Sequence, residues 1–431
     1  MDNTILKIYE IFKQCKSIST DSRILKENSI FFALKGENFD GNNFVEQALK
    51  NGCIAAVSSD KSLKDIPEVI YVEDTLIALQ KLANLHRRTL NIPILAITGS
   101  NGKTTTKELI STVMAQKYRT ASTSGNRNNH IGVPLTLLSM NKTVDFGIVE
   151  MGTSSPGEIE TLCKIAEPNF GLITNIGKAH LEGLGSFEGV IKEKTALYNF
   201  LKSKNGTIFY NADNPILVNS IKNYSGIPYG NNEDNFCSGE YLEFNLQAAV
   251  RWKTSTENGL AKSNLIGKYN FENIMAAITV GNYFGVPGTS IDSSINCYFP
   301  RNNRSQLVKT QRNTLIIDCY NANPTSMEAA IMNLYDTNEK NKTLILGDML
   351  ELGKESDNEH KKILQLIESL KFRKVYLVGD NFKKSESDFE FLFFNDVQEL
   401  NKVLSKHPES GKFILIKGSR GIKLEKCIDY L

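Results

Sequence analysis

The sequence lacks any apolar run long enough to span a bilayer, and its start, MDNTILKIYEIFKQ, has no basic segment followed by an apolar block. We therefore expect a cytoplasmic protein with no membrane insertion. The formal net charge is only +2, which indicates neither a basic surface for nucleic acid nor an acidic tail. We expect no nucleic-acid partner and a monomeric chain.

Cysteine is scarce and is not clustered. The cysteines form no C-x-x-C pair, and their number, seven, is odd. This pattern argues against a zinc site and against a disulfide framework, and it favours buried or inert thiols.

The length of 431 residues exceeds what one ordinary hydrophobic core organises, so several domains are expected. Apolar runs separated by helical patterns divide the chain into three α/β blocks, which we place at 1–85, 86–299 and 300–431. Strands in which apolar and polar residues hardly alternate are typical of parallel sheets covered on both faces. We predict a small N-terminal α/β domain, a central P-loop domain with a parallel sheet, and a C-terminal Rossmann-like, doubly wound domain.

Two stretches depart from this rhythm. Residues 229–266 are polar and more alternating, which indicates an antiparallel extension of the central sheet. Pro300 and its polar neighbours interrupt the pattern at 298–303, where we expect a hinge between domains. No strand of the third block is followed by G-x-G-x-x-G, so a dinucleotide site is not predicted there.

A phosphate-binding turn is the most informative local motif. The stretch ILAITGSNGKTTTKELISTVMAQ, residues 94–116, begins as a strand and continues as a helix across G-x-x-G-K-T-T. In such a turn backbone N–H groups point at phosphate oxygens, and Gly99 and Gly102 allow the close approach. Lys103 supplies a mobile cation, and the Thr104 hydroxyl is suited to Mg²⁺.

A nucleotide loop also needs a hard oxygen ligand for Mg²⁺. Glu150 ends the predicted strand DFGIVE, and ligands gather at strand ends in such sheets. His180 follows another predicted strand, in NIGKAHLEG. Taken singly, Glu150 also reads as a solvated carboxylate and His180 as a structural histidine. Together with the loop, the two residues predict a nucleotide and metal site.

These motifs resemble those of the Mur ligase family, which joins an amino acid or peptide to a UDP-muramoyl precursor. TGSNGKTT looks like the family's ATP loop, and the likeness runs from STDSR in the first block to IKGSRG in the third. GNRNNHIGVP and YNANPTSM are similar to the members that add D-alanyl-D-alanine. The resemblance therefore implies UDP-N-acetylmuramoyl-tripeptide and D-alanyl-D-alanine as substrates, and the UDP-N-acetylmuramoyl-pentapeptide used in peptidoglycan synthesis as product.

The resemblance also implies a two-step reaction that uses ATP and Mg²⁺. The terminal carboxylate of the tripeptide becomes an acyl phosphate, and the dipeptide amine then displaces phosphate. Lys103 and Mg²⁺ would neutralise the anions that meet in the first step. By resemblance, Thr104 and Glu150 would hold one Mg²⁺, and Glu150 with His180 a second.

One further ligand is implied in the helical stretch GVIKEKTALY. Lys194 matches the lysine that many family members carry as a carbamate, which turns a cation into an oxygen donor for metal. Lys192 is the neighbouring alternative. KTALY aligns better with the family's lysine-plus-apolar pattern and favours Lys194.

The resemblance assigns further residues to the three ligands. On the ATP side it implies Gly99, Ser100, Asn101, Gly102, Lys103, Thr104, Thr105, Asn270, Asn273, Arg304, Asp318, Asn321 and Asn323. On the UDP-substrate side it implies Ser22, Arg23, Lys35, Asn128 and Asn129. On the acceptor side it implies Lys417, Ser419 and Arg420.

Two other functions stay open. A sibling ligase would add a single amino acid to the dipeptide precursor, and the choice of acceptor distinguishes it. A nucleotide-binding regulator would keep the loop but release no phosphate in response to an amine. Candidates for metal, nucleotide and acceptor contacts in three separate domains speak against the regulator.

Overall fold

The computed structural model describes residues 2–15, 17–244, 246–300 and 303–431. Over these ranges the strands form sheets of four, nine and six strands and one two-stranded ribbon. The predicted α/β fold class with parallel sheets is confirmed. The domain boundaries after residues 85 and 299 stay predictions, and positions 301 and 302 of the expected hinge lie outside the described residues.

The first block is a small parallel sheet covered by helices. Its strands are β1 Ser17–Ser19, β2 Ser29–Phe32, β3 Lys35–Gly36, β4 Phe39–Asp40, β5 Ala55–Ser58 and β6 Val69–Tyr71. Its helices are α1 Asn3–Phe12, α2 Val45–Lys50 and α3 Thr75–Leu90. The sheet order is β1–β2–β5–β6, and β3 pairs with β4 as the ribbon. Strands β2 and β5 are buried throughout, which explains their unbroken apolar or small-residue sequences.

Helix α3 connects the first block to the second. The Asp74 carboxylate caps its first turn. Near its end, the buried Arg87 guanidinium donates to the Ala166 carbonyl (2.9 Å) and to Asn169 Oδ1 (2.7 Å) of the second block. These contacts fix the small sheet against the central one.

The second block carries the nine-stranded sheet. Its strands are β7 Ile94–Thr98, β8 Thr120–Ser122, β9 Phe146–Glu150, β10 Phe170–Ile173, β11 Thr207–Asn211, β12 Ile227–Gly230, β13 Cys237–Phe244, β14 Gln247–Lys253 and β15 Asn258–Ile266. Its helices are α4 Lys103–Met114, α5 Gly132–Leu138, α6 Glu158–Ala166, α7 Leu181–Leu184, α8 Phe187–Ser203, α9 Pro215–Ser220, α10 Phe271–Tyr283 and α11 Gly288–Asn296.

The strand order of this sheet is β15–β14–β13–β12–β11–β10–β7–β9–β8. From β8 to β13 in this order, which includes β7, all neighbouring strands are parallel. Strands β13, β14 and β15 pair antiparallel, as predicted for residues 229–266. Because β9 and β10 flank β7, the residues that follow these three strands meet at one edge of the sheet. That edge carries the phosphate-binding turn.

The third block carries a six-stranded sheet. Its strands are β16 Gln306–Lys309, β17 Thr314–Asp318, β18 Lys342–Gly347, β19 Val375–Val378, β20 Leu392–Phe394 and β21 Phe413–Lys417. The sheet order is β16–β17–β21–β18–β19–β20. Its helices are α12 Pro324–Asp336, α13 Ser356–Ser369, α14 Asp380–Lys383 and α15 Val397–Lys406. All pairs are parallel except β16 with β17. None of the helices in the described ranges is both long and apolar enough to cross a membrane.

We expect Arg87→Met to lower the midpoint of thermal unfolding and to cost about 2–3 kcal/mol, because buried acceptors on α6 and beyond lose their donor. The matched control is Arg88→Met, since Arg88 pairs with Glu167 (2.5 Å) at an exposed site and such pairs contribute little. Calorimetry or circular dichroism measures both variants. Equal shifts for the two would contradict a structural role for Arg87 between the blocks.

Candidate active site

The turn after β7 needs both of its glycines. Gly99 has φ +146°, and a Cβ there would lie 1.9 Å from Thr174 Oγ1. Gly102 has φ +77°, and a Cβ there would lie 2.4 Å from Asn273 Oδ1. A side chain at either position would therefore combine backbone strain with a clash. The turn is held tightly against β10 and α10.

Lys103 begins α4 and folds over this turn. Its Nζ donates to the Gly99 carbonyl (2.7 Å) and to the Ser100 carbonyl (3.2 Å). Burial lowers the pKa of Lys103, and the carboxylate of Glu150 opposes that shift. The ammonium thus lies where phosphate oxygens would replace backbone carbonyls as its acceptors.

Thr104 and Glu150 form the next contact of the site. Thr104 Oγ1 donates to Glu150 Oε2 (3.0 Å), and Asn128 Nδ2 donates to Glu150 Oε1 (2.8 Å). Glu150 is 2% exposed. Asn128 was expected on the UDP-substrate side, and the structure places its amide on the Glu150 carboxylate.

The donor set around Glu150 suits Mg²⁺ without enclosing it. Carboxylate and hydroxyl oxygens are the ligands that this ion prefers, and Mg²⁺ usually keeps water and substrate phosphates in its shell. Across the part of the chain that the structure describes, no three His, Cys, Asp or Glu side chains converge as a closed metal site. The residues present therefore fit an ion shared with a bound nucleotide.

His180 meets a residue that sequence reasoning missed. Its Nδ1 lies 2.5 Å from Oε2 of Glu351, which belongs to the third block. Both residues have left-handed backbones, with φ of 54° and 65°. The contact with His180 holds the pKa of Glu351 below its usual value. Glu351 lies in the stretch LGDMLELG, residues 346–353, and the family likeness of that stretch is the signal that could have indicated this loop.

Lys194 is buried in α8, whereas Lys192 is exposed. Lys194 is 1% exposed, and burial together with the charge of Lys103 holds its pKa well below the usual value. Between the two lysines, Glu193 turns toward α6 and accepts from the backbone N–H groups of Gly157 (2.6 Å) and Ile159 (2.7 Å). Of the two alternatives, only Lys194 is therefore a desolvated amine.

The amides expected at the nucleotide are hydrogen-bonded to one another or to the protein. Asn273 Oδ1 accepts from Thr106 Oγ1 (2.9 Å), and Asn273 Nδ2 donates to Asn270 Oδ1 (2.9 Å). Asn101 and Asn323 exchange amide hydrogen bonds of 3.4 and 2.7 Å. The second pair joins the phosphate-binding turn to the first turn of α12.

Two residues expected at different ligands are paired with each other. Lys417 Nζ donates to Asp318 Oδ2 (2.6 Å) and to the Asn321 carbonyl (3.4 Å). Ser419 is buried, and its Oγ accepts from the N–H of Leu350 (2.9 Å). The head groups of Lys417 and Ser419 are thus held by the third block itself.

A cavity of about 650 Å³ lies between the second and third blocks. Its lining includes most of the predicted residues: Ser100, Asn101, Gly102, Lys103, Thr104, Thr105, Asn128, Asn129, Glu150, His180, Asn270, Asn273, Arg304, Asp318, Asn321, Asn323 and Lys417. His130, Glu272 and Tyr320 also line it, and sequence reasoning did not find them.

The structure does not bring the predicted residues of the first block to this cavity. These are Ser22, Arg23 and Lys35. The Arg23 side chain is 85% exposed and binds Asp21 through two hydrogen bonds of 2.9 and 2.7 Å. This contact lowers the pKa of Asp21 to about 2. Lys35 lies 3.4 Å from Asp40 in the exposed ribbon.

A second cavity of about 350 Å³ adjoins the first and shares Thr104, Asn126, Arg304 and Tyr320 with it. The guanidinium carbons of Arg304 and Arg420 lie 3.7 and 5.3 Å from the centroid of the Tyr320 ring. Cation–π contacts of this kind hold planar guanidinium groups in place. Lys417, Ser419 and Arg420 were predicted to bind the acceptor. Of these three, Arg420 is the one that lines the second cavity.

Models of known protein families match residues in each of the three blocks. Residues 14–91 match the Mur ligase family catalytic domain, 97–281 the Mur ligase middle domain, and 303–420 the Mur ligase glutamate ligase domain.

Full-length relatives agree with this assignment. A UDP-N-acetylmuramoyl-tripeptide–D-alanyl-D-alanine ligase of Bacillus subtilis is 38% identical, over 95% of this chain and 92% of the relative. The crystal structure of MurF from Acinetobacter baumannii matches with a TM-score of 0.87 at 28% identity, over 99% and 97% of the two chains. MurF of Thermotoga maritima in complex with ADP matches with a TM-score of 0.87 at 25% identity, over 98% and 97%. The chain belongs to the Mur ligase family.

Proposed function

We propose that this chain is an ATP-dependent, ADP-forming ligase that joins D-alanyl-D-alanine to UDP-N-acetylmuramoyl-tripeptide for peptidoglycan synthesis. The observation that carries the proposal is the 38% identity, over 95% of the chain, to a relative named for this reaction. The cavity between the second and third blocks supports it, because the phosphate-binding turn lies beside a second, adjoining pocket.

In the first step, the terminal carboxylate oxygen of the tripeptide forms a bond to the γ-phosphorus of ATP. The bond from that phosphorus to the β–γ bridging oxygen breaks, and ADP leaves with the electron pair. Lys103 donates to phosphate oxygens in place of the carbonyls of Gly99 and Ser100, and Arg304 adds a second cation. Bringing two anions together is the main barrier, so positioning and charge neutralisation carry this step.

Thr104 and Glu150 would hold Mg²⁺ beside the turn, and when bound the ion would supply further charge neutralisation at the phosphates. His180 and Lys194 are the candidates for a second ion. The buried amine of Lys194 supports carbamate formation, in which the neutral amine attacks CO₂ and releases a proton to leave an anionic oxygen donor. A protonated Lys194 would instead repel the ammonium group of Lys103.

In the second step, the neutral dipeptide amine forms a bond to the acyl carbon, and the bond from that carbon to the phosphate oxygen breaks. Phosphate leaves with the electron pair, and the proton lost by the amine passes to solvent. We assign the dipeptide to the 350 Å³ cavity, with its carboxylate on Arg420. The fixed fork of a guanidinium suits a carboxylate. The amine would then approach from the side of Arg304 and Tyr320, which line both cavities. Lys417 and Ser419 would support the loop around this pocket.

The remaining assignments are also proposals. Ser22, Arg23 and Lys35 would meet the UDP end of the precursor on the first block, and Asn129 would position the segment before α5, where its Oδ1 accepts from the N–H of Gly132 (2.9 Å). We further propose a cytoplasmic monomer that binds no nucleic acid.

The reaction is tested by incubating the chain with ATP, Mg²⁺, the UDP-muramoyl tripeptide and D-alanyl-D-alanine, and following products by mass spectrometry. We expect the dipeptide adduct with one ADP per product. Parallel reactions with single amino acids test the sibling ligase. ATP binding without any dipeptide-dependent phosphate release would instead favour a regulator and overturn the proposal.

We expect Lys103→Ala to lower kcat by about a hundredfold or more, because one cation aimed at the transferred phosphoryl group is lost. Steady-state kinetics measure the effect, and circular dichroism checks the fold. Lys117→Ala is the control. Lys117 lies just beyond the C-terminal end of α4, where it donates to the carbonyls of Phe284 and Gly285. Normal turnover in Lys103→Ala would remove the phosphate-loop mechanism.

We expect Lys194→Ala to abolish most activity and Lys192→Ala to retain it, because only Lys194 is buried beside Lys103. Short carboxylic acids should partly restore Lys194→Ala by replacing the missing oxygen donor. Carbon-13 NMR after incubation with labelled bicarbonate should show a carbamate signal that Lys194→Ala lacks. Full activity of Lys194→Ala without additives would rule out the carbamate.

A further inference from the structure

Glu272 is a carboxyl group of the main cavity that the mechanism above does not use. It lies in the first turn of α10 and lines the cavity beside Asn270 and Asn273. In the described ranges no side chain or backbone group forms a hydrogen bond or ion pair with its carboxyl. Glu272 is partly buried, and a ligand in the cavity could supply the partner that its carboxyl lacks within the described chain.

The strand order places Glu272 away from the phosphate-binding turn that follows β7. Asn214, which shares the cavity wall with Glu272, follows β11, and β11 lies two strands from β7 on the side opposite β9 and Glu150. Two strand spacings amount to about 10 Å. The cations that line the cavity are Lys103, Arg304 and Lys417. If the triphosphate occupies the turn and its metal lies toward β9, the base of the nucleotide extends toward β11.

The neighbouring acid cannot serve in place of Glu272. Asp213 accepts from the backbone N–H and the side-chain amide of Asn231, each at 2.8 Å. Both bonds fall on Oδ2, the same backbone N–H lies 3.2 Å from Oδ1, and Asp213 is not among the residues that line the cavity. Burial and the charge of Asp213 together raise the pKa of Glu272 to about 7. A carboxyl that is partly neutral at physiological pH disturbs a bound polyanion less than a full charge would.

We propose that Glu272 reads the base of the nucleotide by accepting a hydrogen bond from the exocyclic amine of adenine. This rests on the proposed use of ATP. A guanine base presents a carbonyl oxygen at the same position, which the ionised carboxylate of Glu272 repels. Glu272 is thus a specificity-determining residue of the ATP site, and Asn270 and Asn273 shape the adjoining wall.

The test compares ATP with purine riboside triphosphate, which lacks the exocyclic amine, and with GTP. In the unmodified chain we expect kcat/KM and binding affinity to favour ATP over purine riboside triphosphate by about tenfold or more, the effect of one desolvated hydrogen bond. Glu272→Ala should reduce this preference to about threefold or less. Glu272→Gln keeps a carbonyl acceptor and should retain most of it. Asp213→Asn, isosteric and outside the cavity lining, should leave the preference unchanged.

An equal preference for ATP in the unmodified chain and in Glu272→Ala would overturn the inference, while dipeptide ligation with ATP would still support the proposed function. A change confined to the comparison of ATP with 2′-deoxy-ATP would assign Glu272 to the ribose and also overturn it. Affinities from calorimetry and circular dichroism spectra of each variant separate a lost base contact from misfolding.

Discussion

The buried hydrogen bond from Thr104 Oγ1 to Glu150 Oε2, 3.0 Å long, is the contact on which the active site depends. It joins the first turn of α4 to the end of β9, and β9 lies beside β7 in the sheet. Asn128 satisfies the other carboxylate oxygen, so both oxygens of this nearly inaccessible acid accept a hydrogen bond. Because these groups stand on core elements, their spacing is set by the fold before any nucleotide binds.

Much of the fold follows from local patterns in the sequence. The buried strands β7 and β9 are apolar runs in the sequence because both of their faces are covered. The short strands β8, β12 and β16 have only a weak signal in the sequence. β8 has only three partly exposed residues, and β12, IPYG, contains a proline and a glycine, which disfavour strands. β16 is a short, partly exposed edge strand.

The candidate site was predictable where one segment carries the geometry. The turn from Gly99 to Thr104 is one such case. Lys194 was favoured over Lys192 by the family's lysine-plus-apolar pattern, and because two such helical residues point about 200° apart, only Lys194 is buried. Pairs formed across the chain were not predictable. Asp318 and Lys417 meet only because β17 and β21 are adjacent and in register. His180 meets Glu351 only because the second and third blocks pack together.

Contacts between these two blocks explain how one enzyme can perform both steps of a ligation. Asn323 binds Asn101 within the phosphate-binding turn, and Lys178 binds Glu359 (2.8 Å), so the third block supports the wall at which ATP would react. The same block carries Tyr320, whose ring contacts the guanidinium groups of both Arg304 and Arg420. Since Arg304 and Tyr320 line both cavities, an acyl phosphate formed in one would be within reach of an amine held in the other. Keeping the two cavities adjacent would favour attack by the amine over attack by water, because the reactive intermediate would meet its acceptor without leaving the protein.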